Sequence, residues 1–201
     1  IALIGLKWTI VFIIGSALIA VMTGYLYMIL TKRGIIAENP HKVEMPDGFD
    51  IRADAKQRLK NFKFSPGFLV SVAVDGLREG RMVMRWLFFG TILAALIRTF
   101  VSTDMLVQYF GPTLLGLLFT LVATTVIEVC SEGSAPIGAE LVTRAAAPGN
   151  GFAFLMAGVA TDYTEIMVIR QITGSWKSAL FLPLLTVPQV MLLGWIMNAM
   201  G

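Results

Sequence analysis

The stretch LKWTIVFIIGSALIAVMTGYLYMIL, residues 6–30, decides the fold class of this chain. Its single charged residue, Lys7, lies at one edge, and the remainder is almost wholly apolar. An α-helix rises about 1.5 Å per residue, so about 20 consecutive apolar residues cross the hydrocarbon core of a bilayer. The stretch therefore predicts a transmembrane helix.

Other apolar stretches of similar length follow along the chain. Those at 82–101 and 112–129 are almost uninterrupted, whereas those at 151–169 and 178–200 contain acids or prolines. Together with 6–30 they predict about five membrane segments. We therefore predict an all-α, polytopic helical membrane protein in which some segments are broken or re-entrant half-helices.

Composition and charge agree with this class. Hydrophobic residues make up 56% of the 201 residues and charged residues only 14%, whereas soluble domains are about one quarter charged. Most Lys and Arg residues lie between residues 32 and 81, which predicts a cytoplasmic loop by the positive-inside rule. Acids are interleaved with these cations and no aromatic stacking pattern accompanies them, so nucleic acid is not a predicted partner.

The resulting organisation has three parts in a protein of the cell membrane. Residues 1–31 are the first transmembrane helix, and residues 32–81 are a cytoplasmic loop that contains an interfacial helix. Residues 82–201 are the transmembrane permease core. The apolar and charged residues between 68 and 81 recur at roughly helical spacing, which favours the interfacial helix.

Several acids lie within or beside the apolar segments of the core. An ionised carboxylate at the bilayer centre costs about 2.5–3.5 kcal/mol, so each acid needs compensation. Protonation, a bound cation, water in a cavity, or pairing with Arg98, Arg144 or Arg170 would each provide it. The acids are Glu128, Glu132, Glu140, Asp162 and Glu165.

Helix-breaking residues lie beside these acids. We expect Pro136 to end one helix and to start a half-helix that runs to residue 147. Asp162 and Glu165 have the spacing of a capping box, which favours a second half-helix. Broken helices that meet at membrane depth form substrate sites in secondary transporters, whereas acid-capped surface turns are the alternative. The predicted breaks are Gly133, Pro136, Pro148, Gly149 and Gly158.

Cys130 lies between two of the acids, Glu128 and Glu132. A thiolate and two carboxylates suit a borderline or soft cation, or a trivalent metalloid. In an unbroken helix the two glutamates share a face and Cys130 points away, so the three converge on a metal only where the helix unwinds. The alternative is a cysteine that only packs. No resident cofactor is predicted, since any metal would be transported.

Two motifs resemble a known family. CSEGSAP at 130–136, followed by PGNGFAFLMAG at 148–158, resembles the predicted permeases that include the organoarsenical efflux permease (ArsP-like). The resemblance covers residues 82–200 and implies a polytopic permease with two related halves that exports metalloids or other soft species. Cys130 and Pro136 carry over by position, and Gly158 carries over as a helix-packing or kink residue. The additional acids favour a cation over an organoarsenical.

We therefore predict a membrane permease for a small solute, most favourably a metal cation or metalloid. Predicted partners are membrane lipid and either a second copy of the chain or a second permease half. The alternative is a scaffold or accessory subunit of a larger transport complex. An enzyme is not predicted, because His41 is the only histidine and no nucleophile has a base beside it. The predicted substrate-binding residues are Glu128, Cys130, Glu132, Asp162 and Glu165.

Overall fold

The computed structural model describes residues 3–36, 50–61, 66–127 and 131–201. Within these ranges all regular structure is helical. The helices are α1 (Gly5–Lys32), α2 (Ile51–Asn61), α3 (Pro66–Phe100), α4 (Thr103–Phe110), α5 (Leu114–Ile127), α6 (Ser131–Thr143), α7 (Pro148–Thr161), α8 (Tyr163–Thr173) and α9 (Trp176–Met200).

The described helices confirm an all-α polytopic membrane protein. Four candidate spans are long and apolar enough to cross a bilayer, and α4 with α5 forms a fifth if that bent pair is counted as one span. The axes of α4 and α5 differ by 97°. The four candidates are Gly5–Lys32, Val70–Phe100, Pro148–Thr173 and Trp176–Met200.

The chain divides into two compact units. Residues 1–40 and 86–201 form the larger unit, and residues 41–85 form the smaller one. Helix α3 contains residues of both units, so the predicted interfacial helix and the span after it are one continuous helix. The candidate site lies wholly within the larger unit.

Helix α7 lies at the centre of the larger unit and packs against α5, α6 and α9. Phe152, Ala153 and Ala157 on α7 belong to a buried apolar cluster with residues of α1, α5 and α9. Small residues allow this close approach: a Cβ atom on Gly149 would overlap the carbonyl oxygen of Gly194. Close backbone packing through small residues is a general basis of helix association in membranes.

Replacing Gly149 with alanine is therefore expected to lower the free energy of unfolding by about 1–3 kcal/mol, because the α7 and α9 backbones must separate. Thermal or denaturant unfolding in detergent micelles measures this change. The matched control is Gly24→Ala on α1, where a Cβ meets nothing within 4 Å. The control should be neutral or more stable by up to about 1 kcal/mol. Equal stabilities for the two variants would contradict the close approach of α7 and α9.

Some of the predicted helix breaks were wrong. Gly133 and Pro136 lie inside α6, and Gly158 lies inside α7. Proline removes one backbone hydrogen bond, and α6 begins at Ser131 and continues past Pro136. The predicted start of a half-helix at Pro136 is thus wrong, because the described part of α6 already includes Ser131.

The two glycines pack helices together rather than break them. A Cβ on Gly90 of α3 would overlap the backbone of Gly133, and a Cβ on Gly158 would lie 2.9 Å from Thr124 Oγ1 on α5. Gly149 lies in the first turn of α7, which begins at Pro148 in the N-terminal position that tolerates proline. The described breaks near these motifs therefore lie before Pro148 and at Asp162.

The described parts of α5 and α6 are each shorter than a bilayer span. They contain 14 and 13 residues, about 21 Å and 20 Å of helix, whereas the hydrocarbon core is about 30 Å thick. Helix α5 runs beside α7, with Thr124 Oγ1 donating to the Phe154 carbonyl oxygen at 2.9 Å. Helix α6 leads into α7 through a short turn. A short helix thus precedes Pro148, with bounds that differ from the predicted ones.

Candidate functional site

The end of α5 meets the break between α7 and α8. Thr125 Oγ1 lies 3.3 Å from Thr161 Oγ1, the hydroxyl of the last residue of α7. The described part of α5 ends at Ile127, and α6 begins at Ser131. We call this meeting point of α5, α6, α7 and α8 the junction, defined by Thr125, Ile127, Ser131, Thr161 and Asp162.

The break in the junction is formed at Asp162. Its backbone is extended, with φ −59° and ψ 127°. Its carboxylate accepts a hydrogen bond from the Thr164 backbone N–H at 2.8 Å and another from the Thr164 hydroxyl. Asp162 therefore caps the first turn of α8, satisfying a backbone donor that a helix start leaves free.

Helix ends give the junction a mixed electrostatic character. Helix α7 ends there, and a helix C-terminus carries about half a negative elementary charge. Helix α8 begins there, and its positive end faces the Asp162 carboxylate. Ends of both signs and a carboxylate can bind a cation or orient a small polar solute.

Only some of the predicted binding residues lie within the part of the chain that the structure describes. Asp162 is half-buried at the junction, and Glu165 is exposed in the first turn of α8. Glu128 and Cys130 lie outside the described residues, as does the side chain of Glu132. Among the described residues no three His, Cys, Asp or Glu side chains gather as a metal-binding group. The predicted metal trio therefore stays a prediction.

Glu140 is an acid whose negative charge is compensated by arginine side chains in the structure. Arg98 Nη2 donates to Glu140 Oε1 at 2.7 Å, and Arg144 Nη1 lies 3.5 Å from Glu140 Oε2. Arg144 Nη2 also donates to the Val101 carbonyl oxygen at 3.0 Å and lies 3.3 Å from Thr103 Oγ1. Of the alternatives open for the acids, arginine pairing thus applies to Glu140. We call Arg98, Glu140 and Arg144 the arginine cluster.

Asn150 and Asn198 form a buried amide pair that the sequence analysis did not single out. Asn150 Nδ2 donates to the carbonyl oxygens of Phe110 and Gly111 at 2.8 and 3.0 Å. Asn198 Nδ2 donates to Asn150 Oδ1, and Asn198 Oδ1 accepts from the Gly149 N–H, both at 2.8 Å. The pair therefore fixes the bend between α4 and α5 to the start of α7 and the end of α9.

An apolar cavity of about 220 Å³ is lined by residues of α5, α6 and their neighbours. Its wall includes Ile127 at the junction and Glu140 of the arginine cluster, with Leu106, Ile137 and Phe154 between them. Glu140 is the one charged residue among its lining residues. The cavity thus extends between the two polar regions of the larger unit.

Comparison with known proteins identifies relatives of the chain. A Streptococcus mutans protein named "Putative two-component membrane permease complex subunit" is 28% identical over 169 residues. The alignment covers 83% of this chain and 52% of the relative, so the chain spans about half the length of that protein. No solved structure matches the chain.

The family comparison covers almost the whole chain. The ArsP_1 family, described as predicted permease, matches residues 1–199. This match includes α1 and both halves of the junction, and it confirms the resemblance that the motifs at 130–136 and 148–158 indicated. The chain is an integral membrane protein that belongs to the ArsP_1 family of predicted permeases.

Proposed function

We propose that the chain supplies the junction as the substrate site of a permease for a small solute, a metal cation or metalloid. The contact between Thr125 and Thr161 carries the proposal, because it brings the last described turn of α5 to the helix break at Asp162. Glu128, Cys130, Glu132, Asp162 and Glu165 are the proposed ligands. Three of these precede or begin α6, and two begin α8.

Membrane physics supports a functional reason for the junction. Non-helical backbone is tolerated at membrane depth only where protein buries it or where it lines a water-filled cavity. We propose that α5 and α6 are re-entrant: two consecutive helices of about 20 Å meet inside the hydrocarbon core when their other ends lie at its surface. Half-helix ends at such a tip are how secondary transporters bind ions and polar substrates.

The ligand chemistry supports a cation. Carboxylates and C-terminal helix ends attract positive charge, and the Cys130 thiol favours borderline or soft metals and trivalent metalloids. Such a solute would offset the cost of holding several acids within apolar segments. The apolar cavity from Ile127 to Glu140 offers an adjoining volume of about 220 Å³.

A second half of the permease is part of the proposal. The chain spans about half of its Streptococcus mutans relative, whose name describes a subunit of a two-component complex. Thr125 at the junction is exposed on the isolated chain, and a polar surface at membrane depth needs a protein or water neighbour. We propose that a partner subunit or a second copy supplies it in the cell membrane, with residues 32–81 in the cytoplasm.

The name of the relative also favours an alternative, in which the chain is an accessory subunit of a transport complex. In that case the acids at the junction would pair with cations of the partner. Neutralising Glu132 would then dissociate the complex. In the leading proposal the same change removes transport from an intact complex.

The test compares cell-associated metals and metalloids by elemental mass spectrometry. Cells expressing the full-length protein, its Glu132→Gln variant, or an empty vector are analysed at equal membrane abundance. We expect one element to change at least about 3-fold with the native protein and to return to the vector level with Glu132→Gln. The matched control, Glu79→Gln, replaces an exposed acid of α3 and should behave as native.

Two outcomes would contradict the proposal. An unchanged content of every element, with the protein folded in the membrane, would exclude a metal or metalloid as substrate. Loss of the complex from the membrane in Glu132→Gln, but not in Glu79→Gln, would instead support the accessory subunit.

A further inference from the structure

A groove of about 600 Å³ lies between α3 and α6, apart from the junction. Most of its lining residues are small or aliphatic, with two threonines, Thr91 and Thr143, among them. At one end it reaches Arg98 and Glu140 of the arginine cluster. The apolar wall consists of Leu3, Leu87, Ala94, Ala95, Pro136 and Ala139.

The length of the groove matches one leaflet of a bilayer. Its α3 wall extends from Leu87 to Arg98, which is roughly 16 Å at about 1.5 Å per residue. Half of the hydrocarbon core is about 15 Å thick. Arg98 lies in the last turn of α3, which ends at Phe100, so the charged end of the groove falls where headgroups begin.

The arginine cluster has a formal net charge of +1, from two guanidinium groups and one carboxylate. Glu140 is only 7% exposed, and its two partners take both of its oxygens. Arg144 also bonds to the turn between α3 and α4, and 19% of its side chain is exposed. The Arg98 side chain is 66% exposed and lines the groove.

Arg98 therefore has N–H donors that Glu140 does not occupy. A guanidinium group has five N–H donors in a planar fork, and Glu140 accepts from Nη2 and Nε. The fork matches phosphate oxygens well. A surplus positive charge beside an apolar wall is costly, and a bound anion offsets that cost.

We propose that this groove binds an anionic phospholipid, with its phosphate on Arg98 and one acyl chain along the apolar wall. The net positive charge favours an anionic lipid over a zwitterionic one. The leaflet-length apolar wall favours a lipid over a soluble anion, which would use only the charged end. The site is separate from the proposed substrate site, and the inference holds whatever solute the junction carries.

Native mass spectrometry of the full-length protein in neutral detergent tests the proposal. The probes are phosphatidylglycerol and phosphatidylcholine with identical acyl chains. We expect the native protein to bind phosphatidylglycerol at least about 10-fold more tightly, and Arg98→Gln to lose this preference. Arg98→Gln leaves Glu140 paired with Arg144, so the fold should persist.

Two further variants make the test specific. Arg85→Gln replaces an exposed arginine on the same helix outside the groove and should keep the native preference. Arg98→Lys keeps the charge but not the fork, so it should retain part of the preference. If Arg98→Gln does not fold, Arg98→Lys and Arg85→Gln are compared instead. A weaker preference for phosphatidylglycerol in Arg98→Lys than in Arg85→Gln then supports the proposal, and equal preferences contradict it.

Four results would overturn the proposal. Equal affinity for the two lipids would show that lipid charge does not determine binding. An equal loss of the preference in Arg85→Gln and Arg98→Gln would show that the effect is not specific to this groove. Displacement of phosphatidylglycerol by millimolar inorganic phosphate would show a site for soluble anions. Arg98→Gln dissociating a subunit without changing lipid binding would show that protein covers the groove.

Discussion

Replacing Glu140 with glutamine is expected to lower the free energy of unfolding by about 2–3 kcal/mol. The substitution keeps the shape of the side chain but removes the one carboxylate between Arg98 and Arg144. Arg144 is largely buried and loses its carboxylate, whereas the Arg98 side chain is 66% exposed and stays solvated, so the cost is below that of breaking a fully buried pair. Unfolding of the purified protein in detergent, followed by circular dichroism, measures the loss.

A rescue experiment separates charge from packing in this prediction. Arg98→Gln added to Glu140→Gln removes one of the unbalanced charges and should recover part of the lost stability, so the two changes are not additive. The exposed acid Glu79 is the control, and Glu79→Gln should change stability by less than about 0.5 kcal/mol. A Glu140→Gln variant as stable as the control would contradict the arginine cluster.

Replacing Asn150 with leucine is expected to cost about 3 kcal/mol or more. Asn150 is fully buried, and the change leaves the carbonyl oxygens of Phe110 and Gly111 and the amide of Asn198 without their donors or acceptor. Each unsatisfied buried group costs about 1–3 kcal/mol. The same unfolding measurement applies, and the bend between α4 and α5 should become more susceptible to proteolysis.

The exposed amide Gln108 on α4 is the matched control, and Gln108→Leu should have little effect on stability. Asn198→Leu should cost less than Asn150→Leu, because Asn198 is only partly buried. The double variant should cost less than the sum, since the two amides share a hydrogen bond. Additive costs would show that the amides act separately.

The amide pair and the arginine cluster lie away from the junction. They connect the ends of α4, α6, α7 and α9 through several part-buried hydrogen bonds.

The membrane class was predictable because it depends only on local composition. The apolar run at 6–30 and the weakly charged core leave lipid as the one suitable solvent. The start of α7 at Pro148 and the cap at Asp162 were also predictable, because each depends on neighbouring residues alone. Such local signals indicate where a helix begins or ends, but not which other helix it packs against.

The predictions that were wrong concern residues whose role depends on parts of the chain that are distant in sequence. Gly133 looks like a break in the sequence, yet it packs against Gly90 of α3. Gly158 was predicted both as a break and, from the family resemblance, as a helix-packing or kink residue, and its contact with Thr124 of α5 agrees with packing. A small residue in a membrane helix serves packing or breaking, and only the facing helix decides. Helix α4 was missed as well, since the sequence from 103 to 110 is short and lies between two predicted spans.

The candidate site was only partly predictable for the same reason. Arg98, Arg144 and Arg170 were equal candidates to pair with an acid, and the choice of Arg98 for Glu140 joins residues 42 positions apart. Asn150 follows Pro148 and Gly149, so it looks like a turn residue. The signal that could have found it is a second amide, Asn198, within an otherwise apolar segment.

The most direct test of the central claim is the rate at which a charged, water-soluble thiol reagent modifies a cysteine at the junction. Thr161→Cys and Val159→Cys are compared in a Cys130→Ser background of the full-length protein in membranes. Both positions are on α7 at similar depth, and Val159 is 44% exposed on another face of the helix. If the junction is a water-filled substrate site, Thr161→Cys should react at least about 10-fold faster. Equal rates, or a faster reaction at Val159→Cys, would contradict the account.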